Sequence, residues 1–153
     1  MSPIEVGSSA PDLTLSTHTG EQISLSDYRG EKTVVVFFYP KDGMPVCTKE
    51  ACYFRDAYED FVDAGAVVIG ISSDSAERHQ RFAASHNLPF ILASDPDGAA
   101  RRAFGVPKSM GVFPGRVTYV IDQEGVVRHM FSSQMGASRH VEEALEAIRK
   151  LDA

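Results

Sequence analysis

The two cysteines of this 153-residue chain, Cys47 and Cys52, stand five positions apart, where a strand pattern gives way to a helix pattern. Val34-Val35-Val36-Phe37-Phe38-Tyr39 is a β-branched and aromatic run of the kind a buried strand requires. Polar, Gly and Pro residues from Lys41 to Pro45 end it, and an amphipathic segment begins with Cys47 in its first turn. The unpaired N–H groups and the positive dipole end of such a helix favour thiolate over thiol. The chemistry this placement suits is nucleophilic attack by sulfur.

The spacing restricts that chemistry. Five residues along a helix turn Cys52 ~140° from Cys47 and set the two Cα atoms roughly 8–9 Å apart. A disulfide rarely spans more than about 7 Å, so pairing requires the helix start to unwind. In a C-x-x-C motif, by contrast, bridging needs little motion. A pair held apart at rest fits a two-step thiol: one cysteine is oxidised, and the other resolves the product after local opening. The nearby charges, Lys41, Lys49 and Arg55 against Asp42, Glu50 and Asp56, nearly cancel. A cation from elsewhere in the chain is needed to favour the thiolate further. Arg116, just before a strand run, is the candidate by position.

Composition sets the outer bounds. With 43% hydrophobic residues the chain fits a single domain over residues 1–153. A net charge of −6 without a basic block argues against nucleic acid or anionic membrane as partner. No apolar run approaches the roughly 20 residues of a membrane span, and Met1 to Pro11 lacks a signal-peptide or transit pattern. Two cysteines do not make a disulfide scaffold, so a reducing cytoplasm is the expected setting.

The elements that must position the thiols follow the same patterns. Leu13-Thr14-Leu15 and Gln22-Ile23-Ser24-Leu25 flank a turn and predict an N-terminal β-hairpin. Cys47, Ala51, Phe54, Tyr58, Phe61 and Val62 form one helical stripe, with Gly65 as its stop. Val67 to Ser72 reads as a second buried strand, and Asp74-Ser75-Ala76-Glu77 as a capping box opening a helix that ends near Asn87. Phe90 to Leu92 reads as extended and Ala99 to Phe104 as a short helix. Val117–Ile121 and Val126–Phe131 predict a second hairpin before a final helix with Val141, Leu145 and Ile148 inward. The fold class is α/β, a central mixed sheet flanked by helices.

The segment YPKDGMPVCTKEACYFRD resembles the active-site segment of peroxiredoxins, in particular the bacterioferritin comigratory protein/PrxQ subfamily. Similarity extends to Ala10-Pro11-Asp12-Leu13, Val68 to Ser72, Leu88-Pro89-Phe90, Phe104 to Pro107 and Pro114 to Asp122. The resemblance implies a thioredoxin-like fold and thiol-dependent reduction of hydrogen peroxide and organic hydroperoxides. It implies thioredoxin or a similar dithiol as reductant, no metal, flavin or haem, and a monomer. By the same resemblance Cys47 is the peroxidatic cysteine, Cys52 the resolving one, and Arg116 the holder of thiolate and peroxide. Glu50 is then an acid orienting that network, and Pro45 the shield of the thiolate. Where the family has a threonine three residues before the peroxidatic cysteine, this chain has Met44, which cannot donate a hydrogen bond. That departure sustains an alternative, a redox-responsive binding or sensor protein with weak peroxide turnover. His79 and His86, seven apart on one helix face, read as solvated side chains and not as metal ligands.

Overall fold

Six consecutive buried residues form the strand on which the rest is arranged, Thr33–Phe38. In the computed structural model, which describes residues 4–42, 45–106, 108–109, 113–114, 116–133 and 136–151, it lies inside a seven-stranded sheet. In chain order the strands and α-helices are β1 (Thr14–Thr17), β2 (Gln22–Ser24), β3 (Thr33–Phe38), α1 (Pro45–Asp56), α2 (Tyr58–Asp63), β4 (Ala66–Ser72) and α3 (Ala76–His86), with one 3-10 turn at Leu25–Tyr28 between β2 and β3. There follow β5 (Ile91–Ser94), α4 (Ala99–Phe104), β6 (Lys108–Ser109), β7 (Phe113–Pro114), β8 (Val117–Ile121), β9 (Val127–Ser132) and α5 (Ala137–Leu151). The sheet order is β2-β1-β5-β4-β3-β8-β9, while β6 and β7 pair separately.

β3, β4 and β5 run parallel, and β1, β8 and β9 join by antiparallel pairing, so the sheet is mixed as the patterns required. The predicted N-terminal hairpin is β1–β2, with Leu15 opposite Ile23. Side chains of β3 alternate between the two faces. Val35 and Phe37 pack with Cys47, Ala51 and Phe54 of α1 and with Val141, Ala144 and Ile148 of α5. Val34, Val36 and Phe38 pack on the other face with Leu15, Leu25, Ala100 and Phe104.

Aromatic packing seats α1 on the sheet. Phe37 stacks on Phe54 with ring centroids 4.4 Å apart, and Phe90 meets Phe37 edge-on at 5.7 Å. Room for Phe37 comes from Gly70 on the neighbouring strand, where an added Cβ would lie 2.7 Å from Phe37 Cζ.

The structure departs from the sequence pattern after α1. A single helix was expected from Cys47 to Gly65, but the chain breaks at Ala57 (φ −97°, ψ 4°) and restarts as α2. Phe61 stays buried, whereas Val62, placed on the inward stripe by its spacing, is 47% exposed. A stripe of period three and four is satisfied by each half separately, so the spacing alone does not reveal the break.

Candidate active site

Cys47 occupies the first turn of α1 because the chain leaves the carboxyl end of β3 and re-enters regular structure at Pro45. Proline suits a first helical position, where the missing N–H has no intrahelical partner to lose. Pro45 is exposed, while Cys47, two positions on, is only 1% exposed. Cys52 sits half-buried on the same continuous helix, and both cysteines are free thiols. The helix therefore keeps them apart at rest, by roughly 8–9 Å between Cα atoms in regular geometry.

Arg116 reaches this thiol through the sheet. It immediately precedes β8, and Val117 at the start of β8 faces Phe38 at the end of β3 in antiparallel register. The guanidinium is thereby delivered to the end of the sheet from which α1 departs. Its Nη2 donates to Cys47 Sγ over 3.1 Å, and its Nη1 donates to Glu50 Oε1 over 2.6 Å. Glu50 lies one turn after Cys47 and is completely buried. One planar cation thus bridges a thiol and a carboxyl, a geometry the guanidinium fork supports and an ammonium does not. The structure brings Cys47, Glu50 and Arg116 together, with Pro45 at the head of the helix that carries the first two. Met44 lies outside the described residues.

The electrostatics of the pocket are divided. Burial pushes the Cys47 thiol above its ordinary value, while the Lys41 backbone N–H and Arg116 favour the thiolate and Glu50 opposes it. Burial raises Glu50 to about 7 despite Arg116.

Two buried histidines were not recognised as parts of this neighbourhood. His140 of α5 is fully buried, with Nδ1 2.7 Å from Thr118 Oγ1, Nε2 2.8 Å from Ser133 O, and Nδ1 3.5 Å from Glu50 Oε2. His79, expected to be solvated, is also fully buried, which corrects that reading. Its Nδ1 lies 2.7 Å from Asp42 Oδ2 and its Nε2 3.1 Å from Ala93 O, and Tyr39 donates its hydroxyl to Asp42 Oδ1. Asp74, expected in a capping box, instead accepts from the Asp42 N–H and the Ser72 hydroxyl, leaving Ser75 to cap α3. This network ties Asp42, in the loop just before α1, to α3 and β5. Asp42, Asp74 and His79 stand close enough to hold a metal ion, but hydrogen bonds within the protein already engage all three. A signal for each histidine was present, since His79 with Phe82 and Ala83, and His140 with Val141 and Ala144, continue an inward stripe at spacings of three and four.

A profile described as the AhpC/TSA family matches residues 6–130. A chloroplastic peroxiredoxin Q of Sedum lineare is 47% identical over 146 residues, 95% of this chain and 78% of that protein. The crystal structure of the peroxidoxin BcpB of Mycobacterium tuberculosis is 33% identical and superposes with a TM-score of 0.90, covering 98% of this chain and 99% of that one. A structure of the Xanthomonas campestris bacterioferritin comigratory protein, reported for its alkyl peroxide reduction activity, is 31% identical with a TM-score of 0.87 over 100% of both chains.

Proposed function

The chain belongs to the AhpC/TSA family and is of the peroxiredoxin Q kind, and we propose that it is a thiol peroxidase working through Cys47 and Cys52. The observation that carries this reading is the hydrogen bond from Arg116 Nη2 to Cys47 Sγ inside a buried pocket at a helix start. In the first step the Cys47 thiolate attacks one peroxide oxygen and the O–O bond breaks. The sulfur becomes a sulfenic acid, and the leaving oxygen departs with a proton as water or an alcohol. In this reading Arg116, whose Nη2 donates to Cys47 Sγ, also holds the peroxide, and negative charge growing on the leaving oxygen favours fixed donors beside it.

In the second step the Cys52 thiol attacks the sulfenic sulfur, releasing water and forming an intramolecular disulfide after the start of α1 unwinds. A dithiol protein such as thioredoxin then returns both thiols by exchange. The substrates are hydrogen peroxide and organic hydroperoxides; the alkyl peroxide reduction of the Xanthomonas relative supports the second class. We read residues 1–153 as one monomeric domain in a reducing compartment such as the cytoplasm, needing no metal or cofactor. Among the described residues no helix is long and apolar enough to cross a membrane. Glu50 orients Arg116, Pro45 shields the thiolate, and Met44 in the threonine position lowers the rate.

Peroxide consumption with thioredoxin, thioredoxin reductase and NADPH tests the reading. Cys47→Ser should abolish turnover. Cys52→Ser should consume one equivalent and stall as sulfenic acid, then proceed to sulfinic acid. Reversible oxidation of Cys47 without turnover would point to the alternative, a redox-responsive sensor, and sulfenic acid appearing first on Cys52 would reverse the assignment.

A further inference from the structure

Among the described residues Glu50 Oε2 is a buried oxygen with no hydrogen-bond partner, and His140 Nδ1 lies 3.5 Å from it. The state of that imidazole follows from its other contacts. Nε2 faces the Ser133 carbonyl, which can only accept, so Nε2 carries the hydrogen. Burial, reinforced by Arg116 and opposed by the Ser133 carbonyl, lowers His140 to about 4, so the ring is neutral and Nδ1 bears a lone pair. The Thr118 hydroxyl donates to that lone pair at 2.7 Å, so a second donor at Nδ1 has to share it with Thr118.

An ionised Glu50 therefore turns a buried carboxylate oxygen toward another acceptor, an arrangement that costs free energy. A proton on Oε2 makes that oxygen a donor, and a movement of roughly half an ångström brings it within hydrogen-bond range of Nδ1. The groups that meet around Glu50 come from three parts of the fold: Cys47 on its own helix, Arg116 just before β8 with Thr118 within it, and His140 on α5.

We propose that His140 is a positioning residue of the Cys47 site: its Nδ1 lone pair keeps a proton on Glu50 Oε2, so that the Arg116 charge serves the Cys47 sulfur and is not divided with a carboxylate. Glu50 in its ionised form opposes the thiolate, so this proton makes Cys47 easier to ionise. His140 touches neither sulfur nor substrate; it acts through Glu50 and Arg116. The catalytic value of this arrangement rests on the peroxidase reading, but the ionisation of Cys47 does not.

Ultraviolet titration of the Cys47 thiolate in a Cys52→Ser background, without peroxide, tests the proposal. His140→Leu removes the acceptor and is expected to raise the midpoint by roughly one pH unit, the scale of a neighbouring charge. His140→Asn, whose carboxamide oxygen falls near the Nδ1 position, is expected to restore most of the difference. In a Glu50→Gln background, where no proton remains to be held, His140→Leu is expected to leave the midpoint unchanged. Should His140→Leu fail the check of fold by circular dichroism, Thr118→Val replaces it. Removing the competing hydroxyl leaves Nδ1 to Glu50 alone and should lower the midpoint. An unchanged midpoint in His140→Leu, an equal shift with Glu50→Gln, or a raised midpoint in Thr118→Val overturns the proposal. A failed peroxide assay with these shifts intact would instead overturn only the peroxidase reading.

Discussion

Arg116 and Cys47 are 69 positions apart in the chain, and yet Nη2 of one lies 3.1 Å from Sγ of the other. Their meeting is a consequence of strand pairing. β3 ends where α1 begins, and β8 starts beside that end because the two strands run antiparallel. The same guanidinium holds Glu50 at 2.6 Å, so it sets the distance between sulfur and carboxyl as well as the local charge.

Replacing Arg116 by Lys tests how much this bridge contributes. An ammonium keeps the charge but cannot span two acceptors as a planar fork does. Stopped-flow measurement of Cys47 oxidation is expected to show a 10–1000-fold lower second-order rate, the scale of losing a preorganised donor. A rate within twofold of wild type would show that charge alone suffices.

The oxidised form should be locally unfolded. Cα atoms roughly 8–9 Å apart on a regular helix must approach within about 7 Å to bond. Amides from Val46 to Arg55 are therefore expected to lose hydrogen-exchange protection in a verified Cys47–Cys52 disulfide form. β3 and β4 should change little, because every position of β3 is buried in the sheet. Equal protection of α1 in both forms would exclude the unwinding.

Met44 stands where a donor is expected, and its side chain lies outside the described residues. Met44→Thr should raise the rate of Cys47 oxidation tenfold or more if a missing hydroxyl limits the reaction. An unchanged rate would mean that another group already fills that role.

Gly70 is a packing requirement. A methyl group there meets Phe37 Cζ at 2.7 Å and Leu92 Cδ2 at 3.0 Å. Because Phe37 in turn supports Phe54 of α1, the ring cannot withdraw without disturbing the helix that carries Cys47. Gly70→Ala should lower stability by about 1–3 kcal/mol in urea unfolding.

His140 should make the fold acid-sensitive. Its folded value of about 4 lies below the ordinary 6.5, so folding disfavours the charged ring. That stability is present above 6.5 and is lost as pH falls toward 4. Glu50, raised to about 7 from 4.5, acts in the opposite sense: its share is complete below 4.5 and disappears as pH rises through 7. His140→Asn should therefore remove up to about 3 kcal/mol of stability loss between pH 6.5 and pH 4, read from urea curves. A wild-type pH dependence in His140→Asn would show that the ring is not buried neutral.

Much of this fold is written locally. The β-branched run of β3, the inward stripe of α1 and the bounds of α4 depend on neighbours a few residues away, and the sequence carries them directly. So does the position of Cys47 at a helix start and the separation of Cys52 from it, since both follow from helix geometry. Ala57 shows where even local reading stops, because two short helices satisfy the same spacing as one long helix. The pairing of Arg116 with Cys47 and Glu50, the burial of His79 against Asp42, and the approach of His140 to Glu50 were decided only by the tertiary structure. Each joins segments 37 to 90 residues apart, separations set by the order and direction of strands in the sheet and by the helices packed upon it. Spacing along a chain records which side chains face inward; which of them then meet depends on how the sheet is assembled.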